Sequence, residues 1–187
     1  MNYLKPNKVI LVDENDQQVG HMEKLEAHTK GLLHRAFSVF VFNSKNELML
    51  QRRAFGKYHS EGLWTNTCCS HPMDGETIIE AGHRRLIEEM GFDCELNEMF
   101  KFIYRANLDN GLIEHELDHV ITGLSDKTPH INTNEVMSFK WMTLENIKNE
   151  IKLHPNDYTV WFKIIIEEHY ETLLSPQYNE SIQKRDI

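Results

Sequence analysis

The 187-residue sequence has little of what several classes of protein require. Its three cysteines are too few, and odd in number, for a disulfide framework, and no CxxC pair offers a structural zinc site. No apolar run approaches the ~20 residues of a membrane-spanning helix. Residues 1–13 lack the basic flank and long apolar core of a secretory signal. We therefore predict a cytoplasmic protein with free thiols and no membrane partner.

Basic residues are also scarce. The chain has 20 Lys and Arg against 29 Asp and Glu, a formal net charge of −9. A nucleic-acid-binding domain normally carries a basic stripe, so we expect no nucleic-acid partner. An anionic small molecule stays compatible with this charge if basic residues concentrate locally. The length suits one well-buried core, and we expect a monomer.

Apolar patterns predict an α+β fold in one domain. Runs bounded by turn residues predict strands at Lys8–Val12, Val19–Met22, His34–Phe42, Leu48–Leu50, Leu63–Cys69, Phe100–Ala106, Leu112–Ile121 and Met137–Trp141. Helices are predicted at Thr77–Met90, Thr143–Lys152 and Asp157–Leu174, and a polar loop at Lys24–Leu33. These elements fit a mixed, mostly antiparallel sheet flanked by helices. We predict a domain over residues 1–174 and a polar C-terminal tail over 175–187.

What the chain does have is a thiol close to an imidazole. In an extended segment, Cys69 and His71 share one face, and Cys68 and Ser70 share the other. A buried cysteine usually only packs, but a nearby cation lowers the pKa of a thiol and favours acid–base or nucleophilic chemistry. Cys69 is therefore a candidate reactive residue.

A pair of carboxylates follows about forty residues later. Glu114 and Glu116 point to the same face of a predicted strand, where they repel each other unless a cation or proton lies between them. A solvated strand face is the simpler interpretation, but flanking apolar residues indicate partial burial. A three-residue loop with Gly111 left-handed would place Tyr104 opposite Glu116, whereas a two-residue loop would place Arg105 there. Both registers stay open.

Two histidines offer further ligands. His28 and His34 are six residues apart and could share an ion only across a bend of the chain. With His71, Glu114 and Glu116 they would form a set of three imidazoles and two carboxylates. Such a set suits a divalent ion of the Mn, Mg or Zn type.

The helix predicted at Thr77–Met90 carries a second pattern. Thr77 and Glu80 resemble a capping box, and Gly91 follows as a stop. Gly82 lies inside the helix, which predicts a close backbone approach there. Charged residues follow at four-residue steps, as a salt-bridged outer face would also show: Glu76, Glu80, Arg84 and Glu88.

This helix resembles the Nudix box, a metal–diphosphate motif, at Glu76, Arg84, Leu86, Glu88-Glu89 and Gly91-Phe92. Ser70 stands where the box opens with Gly, and Arg85 where it has a Glu. Both departures resemble a non-hydrolytic branch, the type 1 isopentenyl-diphosphate isomerases. Other segments similar to that family are His34–Ser38, Gln51–Ala54, Trp64–Pro72, Tyr104–Ala106, Glu114–Glu116 and Asn134–Met137.

The resemblance implies a Nudix-like fold and an enzyme that interconverts isopentenyl and dimethylallyl diphosphates through a tertiary carbocation. It implies that Cys69 and Glu116 are the acid–base pair, that Tyr104 tunes Glu116, and that Trp161 faces the cation. It implies one divalent metal (Mn²⁺, Mg²⁺ or Zn²⁺) at His28, His34, His71, Glu114 and Glu116. It also implies a Mg²⁺ that bridges the diphosphate to Glu89, and diphosphate contacts from Lys24, Arg53, Lys57 and Arg85.

Each assignment has a simpler alternative. Trp161 could be core packing, and Lys24 and Lys57 could be solvated surface residues. For the whole chain, one alternative is a Nudix hydrolase acting on a nucleoside diphosphate derivative. Another is a non-catalytic module that uses a bound metal only for stability.

Overall fold

One mixed sheet organises the part of the chain that the structure, a computed structural model, describes: residues 8–57 and 59–174. Its strands are β1 (Lys8–Val12), β2 (Gln18–Glu23), β3 (His34–Phe42), β4 (Glu47–Arg53), β5 (Trp64–Thr65), β6 (Cys68–Ser70), β7 (Leu96–Asn107), β8 (Ile113–Leu124) and β9 (Val136–Thr143). The helices are α1 (Lys24–Lys30), α2 (Ile78–Met90), α3 (Leu144–Leu153), α4 (Val160–Glu168) and α5 (Tyr170–Leu173). Short 3-10 turns lie at Asp109–Gly111 and Pro155–Asp157.

The parallel pair β3–β8 lies at the centre of this sheet. The other strand pairings are antiparallel, as predicted: β1 with β2 and β3, β3 with β4 and β6, β4 with β5 and β9, and β7 with β8. Successive β3 side chains enter opposite cores, which explains the continuous apolar run of this strand. Phe37 and Val39 pack with Leu86 of α2, whereas Phe40 packs with Phe162 of α4. Helices therefore cover both faces, in an α+β arrangement.

The β7–β8 hairpin settles the register that the sequence left open. Leu108 N–H donates to the Leu112 carbonyl (2.8 Å), and Gly111 is left-handed with φ 74°. Tyr104 therefore pairs with Glu116, as the three-residue loop predicts. The hairpin places a phenol beside a carboxylate inside the sheet.

Two predicted elements were wrong in kind or extent. Lys24–Leu33 is not a loop, because Lys24–Lys30 forms α1, which ends at left-handed Gly31 (φ 61°). A seven-residue helix that buries only Ala27 and His28 has too few apolar positions to show a helical period. The predicted helix over Asp157–Leu174 begins later, at Val160, and is interrupted at His169, whose φ is −119°.

The predicted strand over Leu63–Cys69 divides into β5 and β6. Between them, Asn66 and Thr67 turn their side chains onto neighbouring backbone. Thr67 Oγ1 donates to the Met49 carbonyl (2.7 Å) and accepts from Val41 N–H (2.9 Å). The interruption separates two strands with different partners, because β5 pairs with β4 and β6 pairs with β3.

None of the described helices is long and apolar enough to cross a membrane. The tail predicted at residues 175–187 lies outside the described residues, so the division of the chain there stays a prediction.

Candidate active site

A cavity of about 370 Å³, including the space at its mouth, opens beside β3, β6 and β8. Seven residues predicted for the site line it: Lys24, Arg53, Cys69, His71, Glu114, Glu116 and Trp161. Phe37, Ser38, His59 and Ser70 complete the lining. Predictions made from distant parts of the sequence therefore meet in one place.

Strand parity separates the two adjacent thiols. Cys68 is fully buried in the core beneath α2, whereas Cys69 reaches the cavity. Cys69 pairs with Ser38 of β3, so both side chains lie on the cavity side of the sheet. Burial raises the pKa of Cys69 to about 12 despite the nearby Arg53 cation. Cys69 therefore carries its proton at neutral pH.

Glu116 is bound at both of its oxygens. The Tyr104 hydroxyl donates to Oε2 (2.6 Å), while Nε2 of His71 lies 3.0 Å and Nε2 of His34 3.4 Å from Oε1. Burial alone would raise the pKa of Glu116, but the two imidazoles outweigh it and hold this pKa well below the usual range. Burial and the Glu116 charge raise the pKa of Tyr104 well above its ordinary value.

Glu114 is buried one step along the same strand face. Nε2 of His28 lies 3.1 Å from its Oε2, and Nε2 of His59 lies 3.5 Å from its Oε1. Burial and the charge of Glu116 raise the pKa of Glu114. The two carboxylates thus share one strand face, as the alternation predicted, and each is approached by two imidazoles.

The imidazoles are oriented as metal ligands usually are. His28 Nδ1 donates to the Lys24 carbonyl (2.7 Å), and His34 Nδ1 donates to the Leu32 carbonyl (2.8 Å). In a neutral imidazole held this way, Nε2 presents its lone pair, here toward a carboxylate oxygen. At the observed separations of 3.1 and 3.4 Å, either a proton on Nε2 or a metal ion must therefore lie between the imidazole and the carboxylate.

A metal ion meets that requirement better than a proton, because one proton serves a single pair of atoms. Donor atoms of His28, His34, His71 and Glu116 all lie within 4.8 Å of one another. Glu114 belongs to an adjoining group with His28 and His59. The nitrogen and oxygen donors fit a divalent metal, and the five predicted ligands are all present.

A second polar cluster, which we call the box cluster, contains predicted Lys57, Arg85 and Glu89 together with Gln51, Glu88 and Glu135. Arg85 contacts Glu88 (2.6 Å), Glu89 and Glu135 (3.5 Å), and Lys57 pairs with Glu135. Gln51 donates to Glu89 (2.7 Å). None of these six residues lines the cavity. The structure thus brings Lys57, Arg85 and Glu89 together, but in a cluster separate from the cavity lining.

The helix that carries the box is built as the sequence indicated. Thr77 and Glu80 form the capping box. A side chain on Gly82 would meet Ile121 Cδ1 at 2.4 Å, which confirms the close approach. Arg84 binds both oxygens of Glu76 (2.6 and 2.8 Å), a bidentate pair that ties the loop before α2 to the helix.

Two basic residues and an aromatic ring also line the cavity. Lys24 and Arg53 both line the cavity, and burial lowers the pKa of Lys24 to about 8. Arg53 Cζ lies 5.3 Å from the centre of the Trp161 ring, and Trp161 Nε1 donates to Asn66 Oδ1 (3.3 Å). The ring is therefore fixed at the cavity wall as well as packed in the core.

Sequence reasoning missed two parts of the site. Ser38 Oγ donates to Asp118 Oδ2 (2.8 Å), and both residues are buried. Burial and the Glu116 charge raise the pKa of Asp118 well above its usual value. Asp118 continues the alternation of Glu114 and Glu116, a signal that could have found it. No such pattern marks His59, whose pKa is lowered to about 2 by burial and the Arg53 charge.

Comparison with known proteins decides the family. Residues 32–162 match the NUDIX domain family. The isopentenyl-diphosphate Delta-isomerase of Pectobacterium atrosepticum is 51% identical over 173 residues, which cover 91% of this chain and 97% of that protein. The isopentenyl-diphosphate Delta-isomerase 2 of Photorhabdus laumondii is 54% identical, over 84% of this chain and 89% of its own. The chain belongs to the isopentenyl-diphosphate Delta-isomerase family.

Solved structures confirm the Nudix fold. DR0079 from Deinococcus radiodurans superposes with a TM-score of 0.71 at 20% identity, over 86% of this chain and 97% of its own. A MutT protein from Methanosarcina mazei Go1 superposes with a TM-score of 0.59 at 18% identity, over 72% of this chain and 91% of its own. These identities carry the fold alone. Membership of the isopentenyl-diphosphate Delta-isomerase family comes from the closer relatives, and it favours an isomerase over the hydrolase alternative.

Proposed function

We propose that this protein interconverts isopentenyl and dimethylallyl diphosphates by proton transfer through a tertiary carbocation. One observation carries the proposal: the Cys69 thiol and the Glu116 carboxylate line the same cavity in a chain about half identical to isomerases of that name. The chemistry requires an acid on one face of the carbon chain and a base on the other.

The sheet suits that requirement, because the two residues come from opposite sides of β3. Cys69 pairs with β3 through Ser38 on one side, and Glu116 pairs with it through His34 on the other. A substrate carbon chain between β6 and β8 would therefore have a thiol and a carboxylate on its two flanks. The Tyr104 hydroxyl donates to Oε2 of Glu116, and Oε1 faces the imidazole of His71.

The predicted metal ligands are part of the proposal: His28, His34, His71, Glu114 and Glu116. A divalent ion there (Mn²⁺, Mg²⁺ or Zn²⁺) would make the Glu116 carboxylate a weaker base and thereby tune its proton transfer. The chain's own contribution is orientation, since carbonyl groups fix the rings of His28 and His34.

Diphosphate binding is proposed at the basic residues on and beside the cavity. Lys24 and Arg53 line it, and Lys57 and Arg85 stand in the box cluster. A Mg²⁺ held by Glu89 would bridge the diphosphate, in keeping with the preference of Mg²⁺ for oxygen ligands. Lys24 and Arg53 thus supply positive charge to the cavity of an otherwise acidic protein.

Trp161 is proposed to face the carbocation. A cation over an indole ring is stabilised by about 0.5–2 kcal/mol. The hydrogen bond to Asn66 and the contact with Arg53 hold the ring at the cavity wall. A cytoplasmic monomer without a nucleic-acid or membrane partner completes the proposal, and the three free cysteines suit a reducing compartment.

NMR of isopentenyl diphosphate in D₂O, with the purified protein, Mg²⁺ and Mn²⁺, tests the proposal. We expect dimethylallyl diphosphate with deuterium incorporated. Folded, metal-loaded protein that produces neither product nor deuterium exchange would contradict it. Phosphate release from a panel of nucleoside diphosphate derivatives, without isomerisation, would favour the hydrolase instead.

A further inference from the structure

His59 stands in the cavity although neither the sequence pattern nor the resemblance assigned it a role. It is 7% exposed, and its Nε2 lies 3.5 Å from Oε1 of Glu114. His28 Nε2 lies 3.1 Å from the other oxygen of Glu114. The two imidazole rings are stacked with centroids 6.0 Å apart. Each oxygen of Glu114 is therefore approached by one imidazole nitrogen.

Glu114 and Glu116 of β8 are each approached by two imidazoles. Nε2 of His34 and of His71 approach Oε1 of Glu116, whereas Nε2 of His28 and of His59 approach different oxygens of Glu114. Donor atoms of His28, His59 and Glu114 lie within 4.8 Å of one another, and His28 also belongs to the group around Glu116. An ion bound by His28 is thus adjacent to both carboxylates.

A shared ion requires the donor atoms to close around it. Donors at about 2.1 Å from a metal lie up to about 4.2 Å apart across the ion. Within each group the donor atoms lie within 4.8 Å of one another, and the two groups share His28. One ion that serves both groups therefore requires His59 and Glu114 to move toward His34, His71 and Glu116.

His59 also has the outer contact that orients a ligand. Its Nδ1 lies 3.2 Å from Ser60 Oγ. When Nδ1 donates to this hydroxyl, Nε2 presents its lone pair to Glu114. The same division of roles holds for His28, whose Nδ1 donates to a carbonyl. An imidazole lone pair and a carboxylate oxygen attract each other only through a cation.

We propose that His59 is a further ligand of the divalent cation in this cavity, beside His28, His34, His71, Glu114 and Glu116. The inference rests on the proposed function only in that both place a metal there. The donor set becomes four nitrogens and two carboxylates. Because imidazole favours later transition metals more than Mg²⁺, His59 would shift the selectivity of the site toward ions such as Co²⁺ and Zn²⁺.

The test is metal binding by the full chain after removal of bound metal. His59→Phe keeps an aromatic ring against Trp161 but cannot coordinate, and His59→Ala is the second variant. We expect the Co²⁺ Kd, from competition with a chelating dye, to rise about 10- to 100-fold while the stoichiometry stays at one ion. The Mg²⁺ Kd should rise less. Pulsed EPR of the Mn²⁺ form should show one coupled imidazole nitrogen fewer.

Two other histidine variants serve as the negative and the positive control. His154→Phe, at an exposed position, should bind Co²⁺ as the unchanged protein does, and His34→Phe should lose affinity. Circular dichroism of the metal-free variants establishes that they fold. Folded His59→Phe or His59→Ala with unchanged Co²⁺ affinity and nitrogen coupling would overturn the inference. Loss of a second, separate Co²⁺ ion, with the first unaffected, would overturn it as well.

Failure of the inference is distinguishable from failure of the proposed function. Co²⁺ binding that depends on His59, in a protein that does not isomerise isopentenyl diphosphate, contradicts only the proposed function. Isomerisation with Co²⁺ binding that is indifferent to His59 contradicts only the inference.

Discussion

The cavity and the box cluster both contain buried carboxylates, but these carboxylates face different partners. In the cavity, Glu114 and Glu116 face imidazole nitrogens, several of which present lone pairs. In the box cluster, Glu89 faces the permanent cation Arg85. Glu114 and Glu116 in the cavity therefore depend on protons or an added ion, whereas Glu89 and Glu135 in the box cluster already face Arg85 and Lys57. Of four predictions, two concern the cavity, one concerns the box cluster, and one compares the two.

The largest effect is expected from the acid–base pair. Cys69→Ser and Glu116→Gln should each lower kcat by about 10²- to 10⁴-fold, the usual contribution of a positioned proton-transfer group. The NMR conversion assay measures this. Cys94→Ser, which changes a thiol away from the cavity, should stay near full activity. A loss from Cys94→Ser as large as that from Cys69→Ser would mean that thiol removal harms the fold rather than the chemistry.

The next effect concerns the stability of the box cluster. Arg85→Met removes the cation that Glu89 and Glu135 share, so the free energy of unfolding in urea should fall by about 3–5 kcal/mol. Arg84→Met is the matched control on the same helix, since its partner Glu76 is more exposed. Arg84→Met should lower the free energy of unfolding clearly less. If Arg85→Met lowered the free energy of unfolding less than Arg84→Met does, the claim that Arg85 neutralises Glu89 and Glu135 would be contradicted.

Metal removal should separate the two regions directly. At a free metal concentration about 100 times Kd, binding to the folded state alone adds about 2.7 kcal/mol to the free energy of unfolding, and a chelator should remove it. The increment should vanish in His34→Ala and persist in Arg85→Met, provided that the latter is folded. An increment that survives in His34→Ala would place the stabilising ion outside the cavity.

The smallest effect is expected at Tyr104. Its hydroxyl donates to a charged carboxylate, and such a bond contributes about 1.5–3 kcal/mol. Tyr104→Phe should therefore lower kcat by at least about 10-fold, with little change in KM. Tyr158→Phe, in the core beneath α4, is the control and should leave kcat near its normal value. A change in KM alone would assign Tyr104 to substrate binding.

Local periodicity explains which parts of the site were predictable. The two-residue repeat of a strand separated Cys69 from Cys68 and joined Glu114 to Glu116, because side chains alternate whatever the tertiary context. The hairpin register was predictable only as a choice, since both loop lengths suit an Asn-Gly turn. The hydrogen bond from Leu108 N–H to the Leu112 carbonyl, which closes the three-residue loop, decides it.

Residues fixed by tertiary contacts left no local signal. Helix α1 has seven residues, and long-range burial of His28 holds it in place. His59 lies between two turns, where neither period applies. The predicted ligands lie in segments that are too far apart for spacing alone to connect them. Only the resemblance assigned them to one site.

The parallel pairing of β3 with β8 has a consequence for how the protein folds. Ser38 and Asp118, bonded across this pair, are 80 residues apart in the chain. Contacts of such long range form late, because the intervening chain must first be brought together. His34 and Glu116 lie on these two strands, so a metal cannot unite its ligands before the central sheet closes. We therefore expect added metal to slow unfolding more than it speeds refolding, which stopped-flow measurements in urea would show.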